Sequence, residues 1–317
     1  MLEFDLIRRY FTRATPGAVL GVGDDAALLR VNSGMELAVS TDMLVSGTHF
    51  FADADPFLLG HKALAVNLSD MAAMGAQPRW ATLALSLPVA DETWLERFSA
   101  GFFALAEQYG VELVGGDTTR GPLNLCVTIM GEVPYGKALR RDGAQAGDDI
   151  WVSGTLGNAA LALAHLQGDV RLVAEEFSVC AAALHQPVPR VALGLALRRV
   201  AHSAIDVSDG LLADLGHILE CSNAGAEIEF AALPTSTILQ SYLAQPLGQY
   251  CALAGGDDYE LCFTVPVAHR AELGKISAQL GLPLTRIGAV VAGNGCMVRA
   301  ADCSIINIKE SGYDHFR

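Results

Sequence analysis

The sequence predicts an α/β fold, with α and β elements mixed around sheets and arranged as two domains in series. Three observations predict this. At 317 residues the chain is longer than one core normally organises. Apolar residues make up 51% and charged residues 18%, the composition of a folded, enzyme-like protein and not of a disordered or fibrous one. Short apolar runs with strand character alternate along the chain with stretches of helical spacing.

In the first half, ELAVSTD (36–42) reads as a buried strand. A long helix is expected over 57–75, opened by Pro56 and closed by Gly75. WATLALSLP (80–88) is strand-like. DETWLERFSAGFFALAEQYG (91–110) places Trp94, Phe98, Phe102 and Leu105 on one helical face. VELVGGD and LNLCVTIMGEVP supply two further strands.

The polar stretch YGKALRRDGAQAGDD (135–149) interrupts the apolar pattern and marks a boundary. We therefore expect a domain over 1–137, a linker over 138–148 and a second domain over 149–317. Beyond the boundary come a strand at IWVSG, helices through 157–200, a strand at SAIDVSD, a helix over 210–222 and a strand before Pro234. CALAGGDDYELCFTV (251–265) reads as two strands meeting at an acidic turn, followed by a helix over 267–280 and short final strands. NLSD (67–70) leading into MAAMG faintly echoes DVSD (206–209) leading into GLLADLG. The echo fits two related α/β domains facing each other.

The formal charge of −14 opposes binding to nucleic acid or anionic membranes, which depends on Lys and Arg neutralising phosphates. Seven cysteines without a CxxC suggest neither a disulfide framework nor a zinc site. The opening MLEFDLIRRYF carries Glu3 and Asp5 and lacks the apolar core of a signal peptide. The best apolar window, 57–76, contains Lys62 and Asp70 and is no membrane span. These features point to a soluble cytoplasmic protein.

Two glycine motifs mislead. GVGDDA (21–26) satisfies GxGxxA, yet Asp24 and Asp25 would oppose a pyrophosphate held directly on backbone N–H groups. GEVPYGKA (131–138) approaches a P-loop but has Ala138 where the Mg²⁺-binding hydroxyl belongs, and Pro134 removes a donor.

The chemistry lies in six acidic clusters: GDD (23–25), STD (40–42), NLSD (67–70), GGD (115–117), DVSD (206–209) and GGDD (255–258). They are read at strand ends, glycine turns and helix boundaries. Any one of them fits an ordinary turn or N-cap acid. Six among strongly apolar strands need another reason, because two unit charges about 4 Å apart repel by roughly 4 kcal/mol at a surface-like dielectric. Cations between the carboxylates would remove that cost. Hard oxygen ligands select Mg²⁺, which prefers to share itself with phosphates. We therefore expect a multi-magnesium ATP site. His49 reads either as a polar residue near a strand end or as a ligand contact. Arg140 and Arg141 read either as solvated loop charges or as a bidentate phosphate clamp in a mobile loop. Tyr313 reads by default as a docking residue for the tail.

Taken together, GVGDDAALL, STDMLVSGTHF, KALAVNLSDMAAMGAQP, LVGGDTTRGPL, SAIDVSDGLLADLGHI, GGDDYELCFTV and GYDHF resemble the thiamine-monophosphate kinase family, in order from about residue 4 to the C-terminus. The wider superfamily is typified by aminoimidazole ribonucleotide synthetase, and the resemblance implies its two-domain architecture, each domain a sheet packed with helices. It implies ATP-dependent phosphorylation of thiamine monophosphate to thiamine diphosphate by direct in-line transfer with several Mg²⁺ ions. It further implies Asp25, Ser40, Thr41, Asp42, Asp70, Asp117, Asp206 and Asp209 as magnesium ligands. Asp42, Asp70, Asp117 and Asp209 would be central to catalysis. Gly116, Asp117, Arg141 and Ser208 would contact ATP, and His49, Asp257 and Tyr313 the substrate. The N-terminal domain would bind ATP and metal and form a homodimer. The family usually carries Glu where this chain has Asp257, a side chain shorter by about 1.5 Å; Asp258 and Glu260 are neighbouring acids that could compensate. The rival readings are another superfamily enzyme making a phosphorylated intermediate, or a non-catalytic metal- or nucleotide-binding module.

Overall fold

The protein is described by a computed structural model, covering residues 3–308 and 312–313. Its contacts divide the chain into two compact units, 1–71 with 76–136, and 72–75 with 137–317. No helix among the described residues is long and apolar enough to cross a membrane.

The first unit opens with a short helix, α1 (Glu3–Leu6), running into a π-helical turn (Ile7–Phe11) that buries Tyr10 and Phe11. Four strands follow, interleaved with two long helices: β1 (Met35–Val45), α2 (Pro56–Ala73), β2 (Gln77–Leu87), α3 (Glu92–Tyr109), β3 (Glu112–Arg120) and β4 (Asn124–Pro134). The sheet order is β1-β4-β2-β3, antiparallel except for the β2–β3 pair. Alternation sets its faces: Ala81, Leu83, Leu85 and Leu87 of β2 and Leu125, Val127 and Ile129 of β4 are buried on one side.

Both helices end where their sequence says they should. Asp91 caps α3 by accepting from the N–H groups of Thr93 and Trp94, and Gly110 closes it at φ +66°. Asp55 accepts in the same way from Phe57 and Leu58 at the start of α2. Apolar residues surround most of α2, and Leu64, Ala65, Leu68 and Met71 are buried, as a helix of that composition must be. The two helices touch backbone to backbone. A Cβ at Gly60 would lie 2.1 Å from the Phe98 carbonyl oxygen, and one at Gly101 would lie 1.9 Å from that of Phe57.

The strand expected at 36–42 is present but not buried. It sits at the sheet edge, and its odd-numbered face is open, with Leu37 43%, Val39 57% and Met43 54% exposed. Its other face carries the smaller residues Ala38, Ser40 and Asp42, tied to α2 through hydrogen bonds given below.

The second unit contains β5 (Asp149–Ser153), α4 (Asn158–Gln167), α5 (Ala174–His185), α6 (Val191–Leu197), β6 (Ser203–Asp206), α7 (Leu211–Ser222), β7 (Gly225–Glu229), α8 (Thr237–Gln240), α9 (Pro246–Leu253), β8 (Leu261–Val265), α10 (Arg270–Leu280), β9 (Leu284–Val291) and β10 (Gly295–Arg299). Its six strands run in the order β10-β7-β9-β5-β8-β6, antiparallel except for β10 with β7. Ile150, Val152, Ile205, Cys262 and Ile287 from the strands meet Leu161, Leu211, Leu215 and Ile218 from the helices in one core.

The two strands expected over 251–265 are one strand. Cys251–Leu253 instead end α9, which starts with Pro246 in its first turn, a favoured helix-opening position. Residues 254–260 are irregular, with Asp257 at φ +69° and Tyr259 at φ +50°, before β8 begins. Residues 140–144 are held against the second unit. The Arg140 carbonyl accepts from the Ala204 N–H at 3.2 Å, the Arg141 carbonyl from Ser222 Oγ at 2.9 Å, and Ser222 Oγ from the Ala144 N–H at 3.1 Å. The mobile loop expected around Arg141 is thus pinned along its backbone.

Candidate functional site

The structure gathers the candidate residues into groups, each built by its own unit. In the first unit, alternation along β1 puts Ser40 and Asp42 on the face that meets α2. Ser40 Oγ donates to Asp70 Oδ2 at 2.5 Å, and the Asp42 N–H donates to Asn67 Oδ1 at 3.2 Å. Asn67, buried in α2, is itself fixed by its Nδ2 donating to the Ala63 carbonyl. Ser40 and the Asp42 backbone are therefore tied to the helical turn of α2 that carries Asn67 and Asp70. Burial first, and then the charge of Asp42, push the Cys126 thiol of the adjacent strand upward.

Five candidates stand apart from this group. Thr41 lies on the opposite face of β1, where its Oγ1 bonds Thr128 Oγ1 at 2.8 Å. Gly116 pairs with Leu83 in the row that runs through Val127 to Asp42, and Asp117 lies one row further on. Three strand spacings, roughly 14 Å, thus separate the Asp117 strand from that of Asp42. Gly116 is required where it sits, since a Cβ there would lie 1.9 Å from the Leu83 carbonyl oxygen at φ +145°. Asp25 is exposed in a loop closed by the Leu20–Leu28 bridge, its N–H bonded to Asp24 Oδ1. His49 accepts the Val45 N–H on Nδ1 at 2.9 Å, which leaves Nε2 to carry the proton of the neutral ring.

NLSD and DVSD do not correspond structurally. Asn67–Asp70 lie inside α2, whereas Asp206 ends β6 and Ser208–Asp209 occupy the loop before α7. Ser40–Asp42 likewise lie within β1 and not at its end.

In the second unit the candidates converge on that loop. Asp206 is buried at the strand terminus. The Ser208 carbonyl accepts the Asp257 N–H at 2.8 Å, and the Asp209 carbonyl accepts the Tyr313 N–H at 3.0 Å. Asp257 adopts a left-handed backbone in which Asp is several-fold enriched among non-glycine residues, so the shorter acid suits its own conformation. Neither neighbouring acid is available to compensate for its length. Both oxygens of Asp258 accept the Gly157 N–H at the start of α4, at 2.9 and 2.8 Å. Glu260 is buried and accepts from Arg190 Nε at 2.7 Å and from Ser153 Oγ at 2.5 Å. Arg141 is exposed, and neighbouring Arg140 pairs with Asp142.

The residue that sequence reasoning missed is Asp214. It is 3% exposed in α7, and its Oδ2 accepts the N–H groups of Ser208, Asp209 and Gly210 at 3.0, 3.0 and 3.1 Å. Burial, then the charges of Asp206 and Asp209, push its carboxyl up to about 8 against the downward pull of those N–H groups. Its one sequence signal is an acid in an otherwise apolar stretch, GLLADLG.

Ser40, Asp42 and Asp70 of the first unit offer oxygen donors only, and so, separately, do Asp206 and Asp209 of the second, a chemistry that suits Mg²⁺. Among the described residues no three His, Cys, Asp or Glu side chains form a cage for an ion.

Comparison with known proteins places the chain in a family. The AIR synthase related protein N-terminal domain matches residues 23–133, and the corresponding C-terminal domain matches 145–300. Thiamine-monophosphate kinase of Escherichia coli K12 is 48% identical over 99% of this chain and 98% of its own length. The crystal structure of thiamine-monophosphate kinase from Stenotrophomonas maltophilia K279a is 52% identical, with a TM-score of 0.85 over 93% of this chain and 94% of that one. A structure of AaThiL complexed with AMPPCP and TMP is 31% identical, with a TM-score of 0.79 over 99% of this chain and 96% of that one. Two matched domains in order and near-complete coverage at this identity lead to one conclusion: the chain belongs to the thiamine-monophosphate kinase family of the AIR synthase related proteins.

Proposed function

We propose that this chain phosphorylates thiamine monophosphate to thiamine diphosphate with ATP, by direct in-line transfer. The observation that carries the proposal is the 48% identity, over 99% of the chain, to an enzyme named thiamine-monophosphate kinase. The relative complexed with AMPPCP and TMP supports ATP as co-substrate.

The acceptor is a phosphate ester, largely ionised at neutral pH because its second pKa is about 6, so it needs no protein base. The task left to the protein is positioning and charge neutralisation. Asp25, Ser40, Thr41, Asp42, Asp70, Asp117, Asp206 and Asp209 are the proposed oxygen ligands of Mg²⁺, Thr41 through its backbone since its hydroxyl is engaged by Thr128. When bound, Mg²⁺ supplies neutralisation of the charge on the phosphate oxygens. Gly116, Asp117, Arg141 and Ser208 are assigned to the nucleotide, with Arg141 holding phosphate oxygens through its planar fork. His49, Asp257 and Tyr313 are assigned to thiamine monophosphate. The thiazolium is cationic, and the Tyr313 ring, 49% exposed, offers it a cation–π contact of about 1 kcal/mol.

The residues 1–137 form the proposed ATP- and metal-binding and dimerisation domain, followed by the linker 138–148 and the C-terminal domain 149–317. The homodimer is supported by the open apolar face of β1, where Leu37, Val39 and Met43 are exposed side by side. A cytoplasmic location is supported by seven cysteines that are all free thiols.

The test is ATP consumption with thiamine monophosphate, free thiamine and an aminoimidazole ribonucleotide precursor as separate acceptors. Turnover with thiamine monophosphate alone is expected. Turnover with the aminoimidazole precursor, or with none of the three, would overturn the assignment.

A further inference from the structure

We propose that Asp214 is the positioning residue of the phosphoryl-transfer loop, the side chain that sets Ser208, Asp209, Asp257 and Tyr313 in register with one another. The inference rests on the kinase reading given above. Residues 208–210 form a short turn bonded along both edges. On one edge, three successive N–H groups converge on a single carboxylate oxygen, Asp214 Oδ2, at 3.0, 3.0 and 3.1 Å. On the other edge, the Ser208 and Asp209 carbonyls accept the N–H groups of Asp257 and Tyr313. The peptide units that carry the proposed nucleotide contact and metal ligand therefore also carry both proposed substrate contacts.

The convergence has a local origin. Gly210 leaves the loop at φ +126° and packs against the main chain of Ala254, where a Cβ would lie 2.6 Å from the Ala254 carbonyl. With no side chain at 210, side-chain packing cannot fix the direction of the turn. Asp214, one helical turn into α7, reaches back and does so by accepting all three N–H groups on one carboxyl oxygen. The carboxylate is 3% exposed, so it acts through the loop and not on the ligands. An amide at this position keeps the shape and one acceptor oxygen but puts an NH2 donor where the second oxygen was. A methyl group loses every acceptor.

The experiment compares full-length wild-type protein with Asp214→Asn and Asp214→Ala. Three measurements are made: steady-state kinetics with ATP and thiamine monophosphate, AMPPCP–Mg²⁺ thermal shift, and amide hydrogen exchange at 208–210. For Asp214→Asn we expect a near-native melting temperature, exchange at 208–210 faster by at least about tenfold, and kcat lower by at least about tenfold. The KM values for ATP and for the acceptor should rise together, because both sets of contacts hang on the same two peptides. Asp214→Ala should be worse in each respect. If it does not fold, the asparagine variant alone decides. Wild-type kcat and both KM values in Asp214→Asn, or unchanged exchange at 208–210, would overturn the proposal. So would a loss of activity matched by an equal loss of folded protein. Should wild-type protein bind AMPPCP but not turn over thiamine monophosphate, the substrate assignment fails. The loop proposal is then decided by whether Asp214→Asn loses the AMPPCP shift and speeds exchange.

Discussion

Asp149 shows what one buried carboxylate contributes to this protein. Side-chain hydrogen bonds from Arg270 first, and then from Arg286, hold it below the usual carboxylate range in spite of its burial. A depressed native pKa means that the stabilisation is present above the unfolded-state value, near 3.9, and is lost as pH falls through the lower native value. Asp149→Asn should therefore flatten the acid limb of the stability curve below about pH 4. At pH 7 it should cost about 2 kcal/mol, since Arg270 is half exposed and can be partly satisfied by water. A wild-type acid limb in chemical denaturation at pH 3 and pH 7 would contradict this. Asp42→Asn and Asp209→Asn are opposite in kind. Each removes a repulsive charge, so kinase activity should vanish while the melting temperature without metal holds or rises; an active variant would refute the ligand roles. The sequence made these acids legible because several recur beside small residues in apolar surroundings. Asp214 was not legible, because one polar residue in a helix looks the same whether it faces water or a buried N–H.

The elements were easier to read than their surroundings. The helical face of Trp94, Phe98, Phe102 and Leu105 sits in α3 with its ends at an aspartate cap and a left-handed glycine, as periodicity and punctuation require. Trp94 stacks on Phe98 at 5.0 Å between centroids. The exposure of β1 was not legible, because an alternating apolar pattern does not say which side a helix will cover. The α9 error came from reading the strand character of β8 back through Cys251–Leu253 without weighing Pro246 as a helix opener five residues earlier. Backbone contact between α2 and α3 is a property of glycine spacing on two helices distant in sequence, and single-helix patterns do not reveal it. Gly101→Ala would force a methyl group into the Phe57 carbonyl, so we expect a loss of about 1–3 kcal/mol or more by urea denaturation, with helix content retained. An unchanged midpoint would mean that the helices separate easily.

At the scale of the molecule, alternation of strands and helices was enough to specify two domains of mixed sheet and helix, and both match AIR synthase related domains in order. Strand order and edge identity were not specified, because they depend on pairings between distant segments. The apolar side of β1 carries the proposed self-association. Val39→Asp places a charge in its centre, and sedimentation should then find monomers where wild-type protein sediments as a dimer. A dimeric Val39→Asp protein would move the contact elsewhere. If the contact is there, protein concentration becomes a condition of thermal stability, because association favours the folded form by mass action. Serial dilution should then lower the melting temperature of wild-type protein step by step, and leave that of Val39→Asp unmoved.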